Sequence, residues 1–273
     1  MAMTRPVPPV ASSDGALRTR LRRYYTTYYR DTLGLRDWSV LVDRRDDEER
    51  QERARVDQLR RLLGEPALHG RILNVGCGTG GFNVAAGSAG ARVVGVDCDQ
   101  EAIAICGLRG GASDGRAVHA VAEALPFRAA AFDVVYCFSA IEHVDSVEAS
   151  IGEMARVAQP GGAIYVHTPN AWSWYEGHYK LFWVPFLPRW LGMLYLCLRG
   201  RPTVYLATVR RLTPSRLRRA FHAVGIDDLN RIGTGRGGRL GSLCTNLAPA
   251  GSVFFPSIMI PCLSRSSISP ACW

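Results

Sequence analysis

The sequence has a single lysine, Lys180, among its 33 basic residues, and its eight cysteines include no Cys-x-x-Cys pair. The cysteine spacing typical of zinc sites is therefore absent. No run of eighteen or more apolar residues occurs, so no ordinary membrane-spanning helix is expected. The first thirty residues lack an apolar stretch of the secretory type, and we therefore expect free thiols in a reducing, cytoplasmic environment.

Acidic and basic residues are unevenly distributed along the 273 residues, whose formal net charge is +9. Residues 1–170 hold 20 arginines against 21 acidic residues, whereas residues 171–273 hold 13 basic residues against three acidic ones. The basic excess therefore belongs to the C-terminal third. It would suit an anionic substrate, a lipid headgroup or nucleic acid, and a solvated arginine-rich surface is an equally open alternative.

Short apolar runs rich in Val and Ile alternate with helical stretches between residues 71 and 167. Strands buried on both faces have this composition, and their alternation with helices is typical of right-handed βαβ units. The sequence thus predicts an α/β fold with a doubly wound, mostly parallel sheet, N-terminal helices, and a helical cap inserted after the fifth strand. The predicted strands are Arg71–Val75, Arg92–Val96, Ala117–Val121, Asp133–Phe138 and Ala163–His167, with Ile226–Ile232 and Val253–Ile260 as further candidates. The predicted helices are Leu17–Arg30, Arg44–Leu63, Phe82–Ser88, Asp99–Leu108, Val147–Ala158 and Ser215–Val224.

Changes in composition divide the chain into four predicted parts. They are a flexible tail (1–16), an N-terminal helical segment (17–66), the main domain (67–232, with its cap at 171–207) and a poorly defined C-terminal tail (233–273).

A glycine-rich turn follows the first predicted strand and precedes the next helix. Glycines there let the backbone turn sharply and approach a ligand, and the helix N-terminus offers unpaired N–H groups. Gly76, Gly78 and Gly81 satisfy the dinucleotide fingerprint G-x-G-x-x-G, and Asp97 follows at the end of the second strand. A carboxylate there would bind ribose hydroxyls of a nicotinamide or of another adenosyl cofactor. The turn by itself leaves both alternatives open.

Five further motifs follow this turn in order. The whole series is VGCGTG at 75–80, AEALPF at 122–127, FDVV at 132–135, EHV at 142–144, PGG at 160–162 and TPN at 168–170. Over residues 70–170 this series resembles the class I S-adenosylmethionine-dependent methyltransferases, specifically the type 11/23-like domains. It is far more specific than one glycine turn. The resemblance implies a Rossmann-like methyltransferase domain with S-adenosylmethionine as its cofactor.

The resemblance also implies which residues bind that cofactor. The glycine turn would hold the methionine half, Asp97 the two ribose hydroxyls, and Cys98 would lie against the adenine. Ala122 and Glu123 would flank the adenine edge. The predicted set is Asn74, Gly76, Cys77, Gly78, Gly80, Asp97, Cys98, Ala122, Glu123, Cys137, Phe138 and Ser139.

Two positions depart from the family pattern. Asn74 stands where an acidic residue often precedes the first loop glycine by two positions, so a charge contact is replaced by hydrogen bonding. Val121 stands where relatives commonly carry an acidic residue, and recognition of the adenine amino group then rests on Glu123 or on backbone groups alone.

A sulfonium is already a good leaving group, so methyl transfer from it needs little catalysis by the protein. The protein must align the reactants and exclude water. A hydroxyl acceptor benefits from a base, and His143, with Glu142 beside it, is the candidate because it follows the fourth strand at the ligand-binding edge of the sheet. An equally open alternative is that this pair only fixes its loop by hydrogen bonds. Certain ubiquinone-pathway O-methyltransferases use Glu-x-x-Glu-His for a divalent metal. Ser139 occupies the first of these positions, so no metal is predicted.

The leading interpretation is methyl transfer from S-adenosylmethionine to oxygen of a small-molecule, glycan or lipid-linked acceptor. One alternative is an NAD(P)-binding oxidoreductase, although the chain has no Tyr-x-x-x-Lys pair; another is a catalytically silent cofactor-binding or membrane-surface protein. Nucleic acid is not expected as acceptor, because Phe138-Ser-Ala-Ile stands where such enzymes often carry Asn/Asp-Pro-Pro-Tyr/Phe. The apolar segment 181–198 would either pack on the core or contact a membrane interface. The sequence leaves the oligomeric state open.

Overall fold

The computed structural model describes residues 13–109, 116–226, 232–233 and 257–263. Its strands are β1 (Arg71–Val75), β2 (Arg92–Asp97), β3 (Ala117–His119), β4 (Phe132–Phe138), β5 (Ala158–Pro169), β6 (Tyr175–Glu176), β7 (Leu181–Phe182), β8 (Ile232–Gly233) and β9 (Ser257–Leu263). Its helices are α1 (Ser13–Thr26), α2 (Trp38–Arg45), α3 (Glu48–Leu63), α4 (Gly81–Ser88), α5 (Gln100–Leu108), α6 (Val147–Val157), α7 (Arg189–Leu198), α8 (Val204–Thr208) and α9 (Pro214–Ala223). A π-helical turn (Thr27–Thr32) extends α1, and a 3₁₀ turn (Glu65–His69) precedes β1.

The main sheet has seven strands in the order β3-β2-β1-β4-β5-β9-β8. Strands β1 to β5 run parallel to one another. Strand β9 runs antiparallel to β5, and β8 runs antiparallel to β9. The prediction of a doubly wound, mostly parallel α/β sheet is confirmed. The order reverses at β1 and β4, so their carboxyl ends flank the crevice in which ligands of such sheets bind.

Both faces of the sheet are covered, because the Val- and Ile-rich strands bury side chains on each side. One core cluster joins β4 and β5 to α6 and α9, with Val135, Ile151 and Phe221 fully buried. The other joins β1 to α3 and α4 and contains Ile72 and Leu59. Stacked rings of Tyr136 and Tyr165, 5.0 Å apart, continue it across β4 and β5.

The N-terminal helices differ from the sequence-based prediction in two respects. The helix predicted over Leu17–Arg30 begins earlier, as α1 at Ser13 within the predicted tail 1–16, and continues after Thr26 as a π-helical turn. The single helix predicted over Arg44–Leu63 is wrong at its beginning: the chain forms two helices, separated at Asp46 and Asp47. The Asp46 carboxylate is bound there by Arg18 and Arg22 of α1, at 2.7 Å each. The break is therefore fixed by contacts with α1, which are distant in sequence and give no local signal.

The cap after β5 contains a β-hairpin, β6–β7, as well as the predicted helices. Its entry and exit are joined at the edge of the sheet, where Asn170 pairs with Leu212 and the N–H of Ala171 donates to the Leu212 carbonyl at 2.9 Å. The cap has its own buried cluster around Tyr179, Trp183 and Leu196.

Several predictions concern parts of the chain outside the described residues. These are the tail over residues 1–12, most of the candidate strand Ile226–Ile232, the start of Val253–Ile260, and residues 234–256 and 264–273 of the predicted C-terminal tail. Within the ranges that the structure describes, no helix has both the length and the apolar character needed to cross a bilayer.

Candidate functional site

The glycine turn connects β1 to α4 through three residues in the left-handed backbone region. Gly76, Gly78 and Gly80 have φ values of 74°, 51° and 84°. A Cβ on Gly76 would lie 2.1 Å from the Ala140 Cβ, and one on Gly80 would lie 2.3 Å from the Cys106 Sγ, whereas a Cβ on Gly78 would meet nothing within 4 Å. Gly78 therefore borders open space, where the backbone can approach a ligand.

Asp97, at the end of β2, connects the glycine turn to the loop after β2 by hydrogen bonds. Its Oδ2 accepts the N–H of Gly78 at 2.7 Å, and its Oδ1 accepts the N–H of Asp99 at 2.9 Å. Burial raises the pKa of Asp97 above its ordinary value. Each carboxylate oxygen retains a further lone pair, which ribose hydroxyls could use.

A cavity of about 260 Å³ opens beside Gly78 and Asp97; we call it the cofactor cavity. Nine predicted residues line it: Gly76, Gly78, Asp97, Cys98, Ala122, Glu123, Cys137, Ser139 and His143. Side chains alternate along β4, which directs Cys137 to this cavity and Phe138 to the opposite side. The structure thus brings most of the predicted cofactor residues together.

The remaining predicted cofactor residues lie around or beneath the glycine turn. Asn74, Cys77 and Phe138 border a smaller cavity on its other side. The Asn74 amide donates to the Asn83 Oδ1 of α4 at 2.8 Å, and the Phe138 ring stacks on His167 with centroids 3.8 Å apart. Gly80 directly precedes α4 and occupies neither cavity.

Glu123 uses its carboxylate within the protein. Its Oε1 accepts the N–H groups of Asp145 and Ser146, at 2.6 and 3.0 Å, where α6 begins. Of the two alternatives for adenine recognition, this geometry favours the backbone over the Glu123 side chain.

His143 and Glu142 follow β4 and face different cavities. His143 lines the cofactor cavity, whereas the buried Glu142 lines a second cavity of about 50 Å³ beneath the cap, which we call the acceptor cavity. Burial lowers the pKa of His143 to about 4, with nearby His178 adding to the effect. The imidazole is therefore neutral near pH 7 and able to accept a proton.

Among the residues that line the acceptor cavity and lie outside the predicted site are His178 and Tyr205. The Tyr205 hydroxyl lies 3.3 Å from the His143 Nε2, and the His178 ring centroid lies 4.7 Å from that of Tyr205. Glu176 orients His178 through a 2.9 Å contact with its Nδ1. A sequence signal existed only for His178, as a polar residue inside the aromatic cap.

The Glu142 carboxylate has one satisfied and one unsatisfied oxygen. Its Oε2 accepts the Thr168 hydroxyl at 2.9 Å, whereas its buried Oε1 has no hydrogen-bond partner among the described residues. Burial raises the pKa of Glu142. An unsatisfied buried acceptor is unfavourable, so this oxygen is available to a polar group that enters the acceptor cavity.

One donor atom each from Glu142, His143 and His178 lies within 4.8 Å of the other two. A carboxylate and neutral imidazoles are suitable ligands for several divalent cations. His178 comes from the cap, so motif spacing did not indicate this arrangement. The expectation of no metal, which rested on Ser139, stays a prediction.

The N-terminal helices cover the outer side of the glycine turn. Tyr25 donates to the Glu48 Oε1 at 2.5 Å, and the Thr79 hydroxyl donates to the Glu48 Oε2 at 2.7 Å. Arg45 and Arg109 both pair with this buried carboxylate. Burial alone would raise the pKa of Glu48, but the two guanidinium groups hold it below its usual value.

Comparison with known proteins gives matches to part of the chain. Residues 73–166 match the family model described as a methyltransferase domain. A ubiquinone biosynthesis O-methyltransferase of Idiomarina loihiensis is 34% identical over 42% of this chain and 51% of that protein. One of Rhizobium rhizogenes is 38% identical over 37% of this chain and 41% of that protein. The chain thus spans about half the length, or less, of these curated relatives.

Solved structures share the fold. An S-adenosylmethionine-dependent methyltransferase of Archaeoglobus fulgidus gives a TM-score of 0.52 at 19% identity, covering 81% of this chain and 96% of that one. Another, from Mesorhizobium loti, gives 0.51 at 17%, covering 72% and 96%. The fold is that of the Rossmann-like class I methyltransferases. Over residues 73–166 the chain is similar to the methyltransferase domain family.

This family and fold imply S-adenosylmethionine as the methyl donor. The residues present fit such a cofactor. Open space at Gly78 admits a close ligand, and the Asp97 carboxylate faces the same cavity as the predicted adenine-flanking residues Cys98 and Ala122.

Proposed function

We propose that this protein transfers a methyl group from S-adenosylmethionine to an oxygen atom of a small-molecule, glycan or lipid-linked acceptor. The observation that carries the proposal is the position of His143 between the two cavities. It lines the cofactor cavity, while its ring lies beside Tyr205 and His178, which line the acceptor cavity. The names of the curated relatives, ubiquinone biosynthesis O-methyltransferases, support oxygen as the acceptor atom.

Bound S-adenosylmethionine supplies a methyl group on a good leaving group, and the protein supplies alignment, a dry site and a base. Neutral His143 would accept the proton of the acceptor hydroxyl, which makes the acceptor oxygen a better nucleophile toward the methyl donor. The Glu142 Oε1 and the Tyr205 hydroxyl hold the acceptor through hydrogen bonds. Glu142 is thus a positioning residue in this proposal, and His143 is the base.

Replacement of His143 tests the base directly. We expect His143→Gln to lower kcat by about 10²- to 10³-fold, because general bases contribute factors of this size. Binding of S-adenosylhomocysteine by calorimetry should change much less, since glutamine preserves the cavity wall. The matched control is His69→Gln, an exposed histidine remote from both cavities.

The assay uses radiolabelled S-adenosylmethionine with 3,4-dihydroxybenzoate, a methyl hexoside and a total polar lipid extract as phenolic, sugar and lipid-linked probes. Transfer to none of them, despite tight binding of S-adenosylhomocysteine, would favour the catalytically silent alternative. Binding of NAD in place of S-adenosylhomocysteine would support the oxidoreductase alternative. EDTA should leave the rate unchanged if His143 acts without a metal.

The pH dependence distinguishes a base from a residue that only fixes its loop. With a pKa of about 4, His143 remains deprotonated down to pH values well below those of an ordinary histidine. The rate should therefore stay level from pH 8 to pH 6 and fall only as the pH approaches 4, where the protonated ring can no longer accept a proton. An acid limb centred near pH 6.5 would contradict this assignment.

A further inference from the structure

The outer face of α7 is apolar and exposed. Trp190, Leu194 and Leu198 follow one another at four-residue intervals and are 66%, 51% and 78% exposed. The opposite face of the same helix is also apolar, and there Gly192 and Leu196 are buried against the cap. A helix that is apolar on all sides is normally covered on all sides, so the outer face lacks a partner within the described residues.

The adjoining hairpin, β6–β7, exposes aromatic rings of its own. Trp174 and Phe182 are both more than half exposed, and their rings stack with centroids 5.9 Å apart. The ring centroids of Trp172 and Phe186 are 6.4 Å apart. Their chain neighbours Ser173 and Trp183 are buried and line the acceptor cavity. Alternate residues therefore face the acceptor cavity and the solvent.

We call the exposed α7 residues Trp190, Leu194 and Leu198 the cap apolar surface. Nine of the twelve large, exposed hydrophobic residues of the described chain lie between 172 and 204. Scattered exposed hydrophobic residues are normal, but concentration in one segment marks an interaction surface.

The charge of the same segment indicates the kind of partner. Residues 171–226 contain nine basic residues and one acidic residue, Glu176. The carboxylate of Glu176 is directed inward, where it binds His178 and the N–H of Tyr179. Arg199 is exposed at the C-terminal end of α7, whereas the guanidinium of Arg189, at the other end, donates to the carbonyl groups of Ala207 and Val209. Exposed tryptophans together with arginines and almost no acid suit an anionic phospholipid surface.

We propose that the cap apolar surface docks on the interface of an anionic phospholipid bilayer. In this arrangement α7, about 15 Å long, lies in the plane of the headgroups. Trp190, Leu194 and Leu198 enter the acyl boundary while Arg199 remains among the phosphates. The proposal concerns a surface and does not depend on methyl transfer.

Co-sedimentation with vesicles tests the proposal. The wild-type chain should bind vesicles that contain about 30% phosphatidylglycerol in phosphatidylcholine more strongly than phosphatidylcholine alone, and less strongly as salt is added. W190Q/L194Q/L198Q keeps good helix formers on an exposed face and should lower the partition coefficient by about tenfold or more. The control is Val40→Gln, which removes an exposed hydrophobic side chain from α2 and should bind like the wild type.

Failure of the wild type to bind either vesicle would overturn the proposal, as would equal binding by the triple variant. A loss of self-association in the triple variant, measured by light scattering without lipid, would assign the surface to a second copy of the chain. Binding of S-adenosylhomocysteine by the triple variant should equal that of the wild type. Weaker binding of S-adenosylhomocysteine would indicate that the triple variant is misfolded. In that case fluorescence quenching of the wild-type chain tests the proposal.

Fluorescence of the wild-type chain provides that second measurement. Tryptophans in the acyl boundary should be quenched by phosphatidylcholine brominated along its acyl chain when phosphatidylglycerol is present. Arg199→Gln should weaken this quenching at low salt, because it removes an exposed cation at the end of α7. Unquenched emission in the presence of bound vesicles would exclude insertion of the cap apolar surface.

Discussion

Asp97 combines two tasks in one side chain. In the described chain it already accepts N–H groups from Gly78 and Asp99, so the glycine turn and the following loop keep their positions. Burial raises its pKa, which means that the ionised form gives up solvation in the folded protein. Donors of a bound cofactor would restore part of that lost solvation.

Replacing Asp97 by Asn removes the charge with little change in shape. We expect Asp97→Asn to weaken S-adenosylhomocysteine binding by about 10- to 100-fold, since hydrogen bonds to charged groups are worth roughly 1.5–3 kcal/mol. Calorimetric titration measures the change. Asp57→Asn, at an exposed position on α3, is the control. Unchanged affinity in Asp97→Asn would remove this carboxylate from the cofactor site.

At the scale of the elements, α1 and α3 are joined to the glycine turn through Glu48. This carboxylate accepts hydrogen bonds from Tyr25 and Thr79 and pairs with Arg45 of α2 and with Arg109 after α5. Gly81 packs so closely that a Cβ there would lie 2.7 Å from the Glu48 side chain. The N-terminal helices therefore help to determine the shape of the turn.

Removing the charge of Glu48 should weaken the contacts between the N-terminal helices and the glycine turn. Glu48→Gln leaves two largely buried arginines without their counter-ion, and we expect a loss of about 3 kcal/mol in the free energy of unfolding. Binding of S-adenosylhomocysteine should weaken as well, because Thr79 belongs to the glycine turn. Urea denaturation and calorimetry measure the two effects. The neighbouring Glu49→Gln breaks a surface ion pair with Arg53 and should change neither the free energy of unfolding nor the binding of S-adenosylhomocysteine.

The whole molecule contains two histidines whose surroundings oppose protonation. Burial lowers the pKa of His143 to about 4 and that of His167 to about 3, with Arg55 contributing at His167. In the unfolded chain both titrate near 6.5. Between pH 6.5 and 4 the unfolded state therefore binds more protons than the folded state, and stability decreases as the pH falls.

We expect the free energy of unfolding to decline on acidification through this range, by roughly 1–3 kcal/mol for each of the two histidines. His167→Gln should lower stability at pH 7, because the stacking on Phe138 is lost, and should flatten the pH dependence. His69→Gln, at a mostly exposed histidine, is the control variant. Urea titrations at several pH values provide the measurement.

Much of the sheet could be predicted from the sequence because its signals are local. Runs of Val and Ile marked β1, β2 and β4, and glycines marked the turn after β1. Thr213 and Pro214 correctly indicated the start of α9, where the Thr213 hydroxyl accepts the N–H of Arg216 at 3.2 Å. Each of these features depends on residues within a few positions of one another.

The parts that sequence analysis missed depend on contacts between distant residues. Tyr205 reaches His143 across 62 positions, and Tyr24 donates to Asp99 across 75. The hydrophobic periodicity of the sequence does not indicate such pairs. Glu123 lines the cofactor cavity, and its carboxylate accepts the N–H groups of Asp145 and Ser146 at the beginning of α6, contacts between distant residues that the sequence does not indicate.

The joined ends of the cap have a consequence for how this protein can evolve. Chain entry at Ala171 and exit at Leu212 lie one hydrogen bond apart, and the sheet closes beneath them without the intervening residues. Under the proposed function, insertions, deletions or exchange of the residues between these two points would alter the acceptor cavity while the cofactor cavity keeps its architecture. Acceptor preference and methyl-donor recognition would then be under separate selection.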